Sequence, residues 1–271
     1  NLTTAVTTLE NVSRTVDRPI SSPQEMLQGQ VAGVTVVSNS GNPGSSPSVI
    51  IRGRGTFNNE EPLYVVDGMP YYGFRINPND IESMVVLKDA AAAAIYGAQA
   101  ASGVIVITTK SGKSGAPKVS LDFYQGWQSA YQTPEALNAA EYAQAYTQAA
   151  IHAGATPNPA HDPNVNPWGQ VTRTNWMDEI FRTGAITNAN VQVSGGSDRA
   201  RYSTSFGYHK KEGLLLNTDY ELFSLRLKGD YEITDKFRVG QNVYLNQSAA
   251  YGTNTSSSYS GAIINAIYMN P

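Results

Sequence analysis

The fold is decided by residues 50–112, which read IIRGRGTFNNEEPLYVVDGMPYYGFRINPNDIESMVVLKDAAAAAIYGAQAASGVIVITTKSG. Within this stretch, Asp67-Gly68 separates LYVV from MPYY, and an Asp-Gly pair between two apolar runs is typical of a tight β-hairpin. Residues 103–110 (GVIVITTK) form a continuous apolar run, which predicts a strand buried on both faces. The stretch therefore predicts the centre of a small mixed α/β domain.

Helix signals lie between these strands. Asn79 or Asp80 can cap one helical turn before the strand MVVLK. Asp89 can cap an alanine-rich helix over residues 90–96, and Gly97 follows where a left-handed residue commonly ends a helix. Upstream, SSPQEM has the Ser and Pro that begin a short helix. We expect the mixed domain to occupy residues 1–116.

The pattern changes after Pro117. Apolar and polar residues alternate in four segments, near residues 118–128, 201–209, 223–231 and 237–246, and residues 187–194 add a shorter, more polar strand. Most of these strands reach the roughly 9–11 residues that a tilted membrane strand needs. The connections alternate between tight turns and long loops, and the first loop contains a predicted helix over residues 134–152. This layout is typical of an outer-membrane barrel.

These strands alone are too few to close a barrel, because bacterial single-chain barrels have even strand numbers from about 8 upward. We therefore expect the chain to be the N-terminal part of a longer polypeptide. A soluble β-sandwich would show similar alternation. From the strand pattern alone, a barrel and an extracellular sandwich, such as a binding module or adhesin, are about equally supported.

The composition excludes several function classes. The 271-residue chain has a net charge of −3 with scattered basic residues, so nucleic-acid binding has no electrostatic basis. No apolar run reaches the roughly 18 residues of a spanning helix, which leaves a membrane β-barrel open because barrel strands alternate. Cysteine is absent, so neither a disulfide nor a thiolate metal site can form.

No motif supports catalysis, so we expect a protein that is not an enzyme and binds no cofactor or metal. Residues 111–114 (SGKS) follow a strand as in a phosphate-binding loop, but Ile107 occupies the position of the required glycine. Pro117 also prevents the helix that would hold the phosphate. The histidines share no ligand spacing, and we expect each to be a solvated side chain: His152, His161 and His209.

Two blocks, IRGRG…PLYVVDGMP and LKDAAAAAIYGAQAASGVIVITTKSG, resemble the plug domain of SusC/RagA-type TonB-dependent outer-membrane transporters. The resemblance implies a mixed α/β plug over residues 1–116. It implies that residues 117–271 are the N-terminal portion of an antiparallel transmembrane β-barrel. Members of this family import bulky nutrients, oligosaccharides or oligopeptides, through a barrel of about 22 strands with a plugged lumen.

The resemblance also implies partners. They are a SusD-like lipoprotein lid, the TonB complex and outer-membrane lipid, in the outer membrane of a Gram-negative, Bacteroidetes-like bacterium. A dimer of the transporter–lid pair is also implied by the resemblance. We expect binding and gating without an enzymatic step.

Ligand contacts are predicted in two loops of the mixed domain. Polar and aromatic side chains without an evident structural role are candidates, because rings stack on sugar faces and amide or guanidinium groups pair with hydroxyl or peptide groups. The residues that meet this description are Phe57, Asn58, Asn59, Glu60, Tyr71, Tyr72 and Arg75. The alternative is that they pack against the barrel wall or the lid.

Overall fold

The structure is a computed structural model that describes residues 6–10, 20–38, 40–53, 61–73, 75–89, 94–172, 174–254 and 260–269. Among the described residues before residue 110 there are seven strands. They are β1 (Val6–Glu10), β2 (Val34–Val37), β3 (Ser48–Ile51), β4 (Leu63–Val66), β5 (Met69–Pro70), β6 (Ile81–Leu87) and β7 (Val104–Thr109). A one-turn helix α1 (Pro23–Met26) lies between β1 and β2.

Five of these strands form a mixed sheet in the order β1-β6-β7-β4-β5, and β2 pairs with β3 in a separate ribbon. Strand β7 lies at the centre, parallel to β4 and antiparallel to β6. Its residues Val104, Ile105 and Ile107 are at most 1% exposed. The buried central strand predicted from GVIVITTK is therefore confirmed.

The core beneath the mixed sheet is apolar and closed. Met84 and Val86 of β6 pack with Ile105 and Ile107 of β7, and Leu27 from the turn after α1 covers them. All five of these side chains are buried. Because burial of each large aliphatic side chain contributes about 1.5–3 kcal/mol, this core gives the mixed domain most of its cohesion.

The Asp67-Gly68 hairpin is confirmed, with β4 and β5 antiparallel and positive φ angles of 47° and 86° at the two turn residues. The predicted helical turn is present as a 3-10 turn, Pro78–Asp80, but its cap is Asn77. The Asn77 side chain accepts a hydrogen bond from the Asn79 N–H. The prediction that Asn79 or Asp80 is the cap was wrong by two to three positions.

The alanine-rich segment is only partly described, because residues 90–93 lie outside the described residues. The rest, Ala94–Ala100, is of the 3-10 type and consists of two pieces divided at Gly97, where φ is 71° and the backbone is not helical. The first piece therefore ends before Gly97 as predicted, because glycine adopts a positive φ without steric penalty.

The second half of the chain forms one antiparallel sheet, here called the wall. Its strands are β8 (Gly115–Gln128), β9 (Gly184–Gly196), β10 (Ala200–Glu212), β11 (Asp219–Thr234) and β12 (Phe237–Tyr251), paired in chain order. The five predicted strands are thus confirmed. Strand β9 is longer than its short polar pattern indicated, because pairing with both neighbours extends it to 13 residues.

The two faces of the wall differ. On β8, Val119 and Leu121 are each 70% exposed and Phe123 is 64% exposed. Ser203, Ser205 and Arg226, by contrast, are buried against the mixed sheet. The apolar side chains therefore point outward, and no second sheet in the described part of the chain covers them, so the sandwich alternative is wrong.

Long loops extend from one end of the wall and carry three helices: α2 (Ala139–His152), α3 (Trp176–Ile180) and α4 (Ala262–Tyr268). Helix α2 begins at residue 139 and not at the predicted 134, because Asn138 and Glu141 form a capping box there. Tight turns close the opposite end. No helix in the described ranges is long and apolar enough to cross a membrane.

Candidate functional site: the interface between the mixed sheet and the wall

A charged cluster joins the β4–β5 turn to the wall at Asp67. Its Oδ1 accepts hydrogen bonds from the Thr109 N–H at 3.0 Å and from Lys228 Nζ at 3.2 Å. Its Oδ2 accepts from Asn242 Nδ2 at 2.7 Å and lies 3.4 Å from Arg226 Nη2. Thr109 Oγ1 donates to the same Oδ2 and accepts from Arg226. One carboxylate thus holds three wall strand residues and the end of β7.

The cluster is largely removed from solvent. The Arg226 side chain is 4% exposed, and those of Asp67 and Lys228 are each 15% exposed. Burial alone would raise the pKa of the Asp67 carboxyl. The hydrogen bonds from Thr109 and the charges of Lys228 and Arg226 outweigh burial, so the pKa lies below its ordinary value. Asp67 is therefore ionised in the docked state at neutral pH.

Asp80 makes a second carboxylate contact with the wall. Ser205 of β10 donates a hydrogen bond to Asp80 Oδ1, and Asp80 is only 1% exposed. Its Oδ2 is buried and has no hydrogen-bond partner within the described residues. Burial raises the pKa of this carboxyl, although Ser205 and the charges of Arg226 and Lys110 act in the opposite direction. The two carboxyls consequently respond to pH with opposite signs.

Asn77 enters a socket in the wall. Its Nδ2 donates to Asn190 Oδ1 and to Ser224 Oγ, each at 3.2 Å, and its N–H donates to Tyr244 Oη at 2.9 Å. The socket exists because Gly207 has no side chain, since a Cβ there would lie 2.0 Å from Asn77 Nδ2. Asn77 therefore caps a helical turn and also fixes the register of the mixed domain against three wall strands.

Arg75 is held at the end of the interface nearer the long loops. Its guanidinium donates to the Gly44 carbonyl and lies 4.7 Å from the centroid of the Tyr220 ring. Its own carbonyl accepts from Tyr244 Oη at 2.6 Å and from Asn246 Nδ2 at 3.3 Å. Arg75 was predicted as a ligand contact, and the structure adds a contact with the wall to that prediction.

Asn42 makes a two-way contact at the same end. Its Nδ2 donates to the Thr253 carbonyl at 2.7 Å, and its Oδ1 accepts from the Thr253 N–H at 3.2 Å. Thr253 is the second residue after β12. The loop of the mixed domain that contains Asn42 is therefore tied to the segment that follows the wall.

The histidine prediction is partly wrong. His209 is 7% exposed, and its ring centroid lies 6.0 Å from that of Tyr220. It faces the mixed sheet because β10 alternates, and the even-numbered neighbours of His209 face the opposite side. Within the described part of the chain, no group of three or more His, Asp or Glu residues is placed to hold a metal ion.

The structure describes only some of the predicted ligand residues. Residues 57–60 (Phe57, Asn58, Asn59 and Glu60) lie outside the described residues. Tyr71, Tyr72 and Arg75 are brought together on one open cleft of about 650 Å³, which Tyr64 and Gln99 also line. Tyr72 is 63% exposed, and its hydroxyl donates to Gln99 Oε1 at 2.8 Å. Burial raises the pKa values of Tyr64 and Tyr71, so both phenols remain neutral.

Sequence reasoning did not identify the interface residues Asp67, Asn77 and Arg226 as a site. One signal was available. Arg226 and Lys228 are two cations spaced by two residues, on the opposite side of a strand from Leu225 and Leu227. Cations on one side of an alternating strand indicate that this side meets acidic groups or water.

A family model described as the TonB-dependent Receptor Plug Domain matches residues 2–104. The chain is 36% identical to the TonB-dependent receptor SusC of Bacteroides thetaiotaomicron over 260 residues, covering 86% of this chain and 24% of the relative. The chain belongs to the SusC/RagA-type TonB-dependent receptors. The mixed domain is accordingly called the plug below, and the chain is part of an outer-membrane protein.

Other matches agree with this assignment. TonB-dependent receptor P3 of Formosa agariphila is 38% identical over 249 residues, which cover 90% of this chain and 23% of that receptor. The chain thus spans about a quarter of the length of the curated relatives it matches. The RagAB peptide importer in its closed-closed state gives a TM-score of 0.79 at 28% identity, over 94% of this chain and 32% of that chain.

A more distant structure shares only the fold. A mutant of the ferric enterobactin receptor PfeA from Pseudomonas aeruginosa gives a TM-score of 0.60 at 16% identity, over 97% of this chain and 35% of that chain. These relatives are receptors and importers by name. The plug and wall together therefore match about a third of the length of such proteins.

Proposed function

We propose that the whole protein imports bulky nutrients, oligosaccharides or oligopeptides, across the outer membrane in a TonB-dependent step that the plug gates. Residues 1–116 are the plug in this proposal, and residues 117–271 begin the barrel. The exposed apolar face of the wall contacts lipid in this proposal. The protein binds and releases its ligand without an enzymatic step.

The proposal rests on one observation: the plug has an apolar core, but its interface with the wall is polar. Met84, Ile105 and Ile107 close the core, whereas Asp67, Asn77 and other polar groups make the wall contacts. Polar contacts can be replaced by water at small net loss, because a typical hydrogen bond contributes only about 0.5–1.5 kcal/mol net. A domain of this kind can separate from the wall and still stay folded, which is what a gate requires.

The partners that we propose are inferred from the relatives. They are the TonB complex, a SusD-like lipoprotein lid, and a dimer of the transporter–lid pair. SusC and the RagAB importer support them because both belong to the same family. The ligand signal must pass from the outer side of the plug to its N-terminal segment, which requires that the ligand bind one plug state more tightly than the other.

Deletion of residues 1–19, together with any segment that precedes them, tests the gating step. The truncated receptor should bind ligand with unchanged affinity and should fail to import it. The connection to TonB is removed, while the cleft lined by Tyr71, Tyr72 and Arg75, here called the plug cleft, is kept. Binding is measured on the purified receptor–lid complex, and uptake is measured in cells. Continued uptake by the truncated receptor contradicts TonB-dependent gating.

The ligand residues need a separate test. Tyr72→Ala should weaken binding to the purified complex, because it removes an exposed ring from the plug cleft. Tyr72→Phe is the matched control, since it keeps the ring and loses only the hydrogen bond to Gln99. Equal affinity for Tyr72→Ala and wild type would show that Tyr72 serves packing and not ligand binding.

A further inference from the structure

A cavity of about 470 Å³ lies at the tight-turn end of the wall, where the chain passes from the plug into β8. Its sides are the start of β6, the segment between β7 and β8, and the inward faces of β8 and β9. Ser114 on its rim donates to Asp198 Oδ1 at 3.1 Å, in the turn between β9 and β10. Because the short turns of outer-membrane barrels face the periplasm, this linker cavity lies on the periplasmic side.

The segment between β7 and β8 is fixed at several points around the linker cavity. The Lys110 N–H donates to the Asp80 carbonyl at 2.8 Å, and the Lys110 carbonyl accepts from Arg226 at 3.1 Å. Gly112 lies directly against β10, because a Cβ there would be 2.3 Å from the Tyr202 carbonyl oxygen. The glycine of the SGKS motif is therefore explained by close packing, and the backbone that carries the lysine of the motif is held in place.

Three ammonium groups line the linker cavity from both parts of the interface. Lys110 and Lys113 belong to the plug, and Lys118 belongs to the wall. In the described part of the chain, none of the three forms an ion pair. Among the described lining residues the carboxylate is that of Glu82, so three positive charges less one negative charge leave a net charge of +2. The neutral polar lining consists of Gln192, Ser111, Ser114 and Ser194.

A phosphate monoester group matches this lining. It carries about −1.5 to −2 charges at neutral pH and has three strong acceptor oxygens, which ammonium and hydroxyl groups can approach as donors. Lysine binds phosphate as a point charge and needs no fixed bidentate geometry. The SGKS segment has neither the glycine spacing nor the helix of a phosphate-binding loop. Here the lysine side chains, and not backbone N–H groups, supply the contacts.

We propose that the linker cavity binds a phosphate monoester group between Lys110 and Lys113 of the plug and Lys118 of the wall. The bound anion touches both parts, so it binds the docked plug more tightly than a displaced one. It therefore stabilises docking from the periplasmic side. The inference goes beyond the proposed import function, and the binding itself requires neither TonB nor a nutrient.

The test is a calorimetric titration of full-length receptor in non-ionic detergent with three probes: inorganic phosphate, glycerol 3-phosphate and dihexanoyl phosphatidic acid. Wild type should bind all three at one site. Equal affinities for glycerol 3-phosphate and the lipid would support a soluble phosphate ester as the source. An affinity at least tenfold higher for the lipid would support a lipid headgroup.

Substitution of one lysine tests the position of the site. Lys113→Gln should lower the affinity for inorganic phosphate at least about tenfold, because one charge-assisted hydrogen bond is lost. Lys113→Arg should bind like wild type, since the charge is kept. Lys236→Gln is the matched control, because Lys236 is an exposed lysine in the turn between β11 and β12 at the same end and does not line the cavity.

Hydrogen–deuterium exchange tests the effect on docking. With inorganic phosphate at ten times its Kd, the β4–β5 turn should exchange about tenfold more slowly in wild type, because a ligand at that concentration favours the state that binds it by about this factor. Lys118→Gln should lose most of this protection, since it removes the wall lysine from the site. Phosphate binding with no change in exchange would refute the coupling to docking.

Two results would overturn the site. The first is the absence of phosphate binding by wild type, which is expected if residues outside the described ranges neutralise the cavity. The second is an equal loss of affinity in Lys113→Gln and Lys236→Gln, which would show general attraction to surface charge. The proposed import function fails separately: if phosphate binds as expected but uptake continues after deletion of residues 1–19, only the gating function is refuted.

Discussion

Replacing Asp67 by asparagine should release the plug from the wall without unfolding either part. The substitution removes the charge that faces Arg226 and Lys228 and keeps the size of the side chain. It does not strain the hairpin. Asparagine tolerates the positive φ of 47° at this position and is a preferred residue before glycine in such turns.

The expected loss is about 3 kcal/mol of docking free energy. Removing one partner of a buried ion pair costs about 3–5 kcal/mol, because the other charge is left without compensation. The lower end applies here, since Asp67 keeps 15% exposure and the carbonyl of Lys110 still accepts from Arg226 at 3.1 Å. A change of about 3 kcal/mol corresponds to about a hundredfold shift in the docking equilibrium.

Hydrogen–deuterium exchange of the full-length receptor measures this shift. Peptides that contain the β4–β5 turn and the Thr109 N–H should exchange about a hundredfold faster in Asp67→Asn, because undocking exposes these wall-contacting groups while the plug strands stay paired. Peptides from β10 should be unchanged. Asp235→Asn is the control, since the Arg199–Asp235 pair is 69% and 91% exposed and such pairs contribute little.

Two outcomes would refute this reasoning. Plug exchange within twofold of wild type would show that the ion pair does not hold the plug. Equal acceleration in β10 would show a general loss of stability and not undocking. The pH dependence gives a further check. The pKa of Asp67 is held low, so its stabilisation is present above pH ~4 and is lost as the pH falls through the native pKa.

Three further changes test the interface and the wall. Asp80 should have the opposite pH dependence, because burial raises its pKa and docking weakens as the pH rises through that raised value. In wild type, plug exchange measured between pH 4 and 8 should therefore gain a contribution that increases with pH. Asp80→Asn should lack that contribution. Gly207→Ala should accelerate plug exchange as Asp67→Asn does, because the new methyl group enters the socket that holds Asn77. Gly126→Ala is the control and should leave exchange unchanged, since Gly126 has open space around it. Equal exchange in the two variants would show that the socket does not hold the plug. Leu121→Arg should destabilise membrane insertion by about 2–4 kcal/mol, measured as folding yield into lipid vesicles, and Val165→Arg in the long loop should leave that yield unchanged.

The fold was largely predictable because its signals are local. An Asp-Gly pair between apolar runs specifies the β4–β5 hairpin, a continuous apolar run specifies β7, and alternation specifies the wall strands. The error in the turn before β6 was also local in origin. Pro78 occupies the first position of that turn, so the cap is the residue before it, Asn77.

The interface was not predictable in the same way. Asp67 and Arg226 are 159 residues apart, and no local pattern relates them. Asp67 was explained by its turn, which is correct, but the turn also aims the carboxylate at the wall. His209 was misjudged because an alternating strand shows which residues share a face and not which face is covered. Tyr71, Tyr72 and Arg75 line one cleft together, and their role as ligand contacts stays a prediction.

The socket at Gly207 has a consequence for chimeric receptors. A plug transplanted from one receptor onto the wall of another would have to bring an amide of the right length to a position where the new wall lacks a side chain. Where the recipient wall has alanine or a larger residue at the position of Gly207, the transplanted plug could not dock against the wall, however stable the plug is by itself. Successful exchange of specificity between such proteins therefore requires that this pair of positions be transferred together.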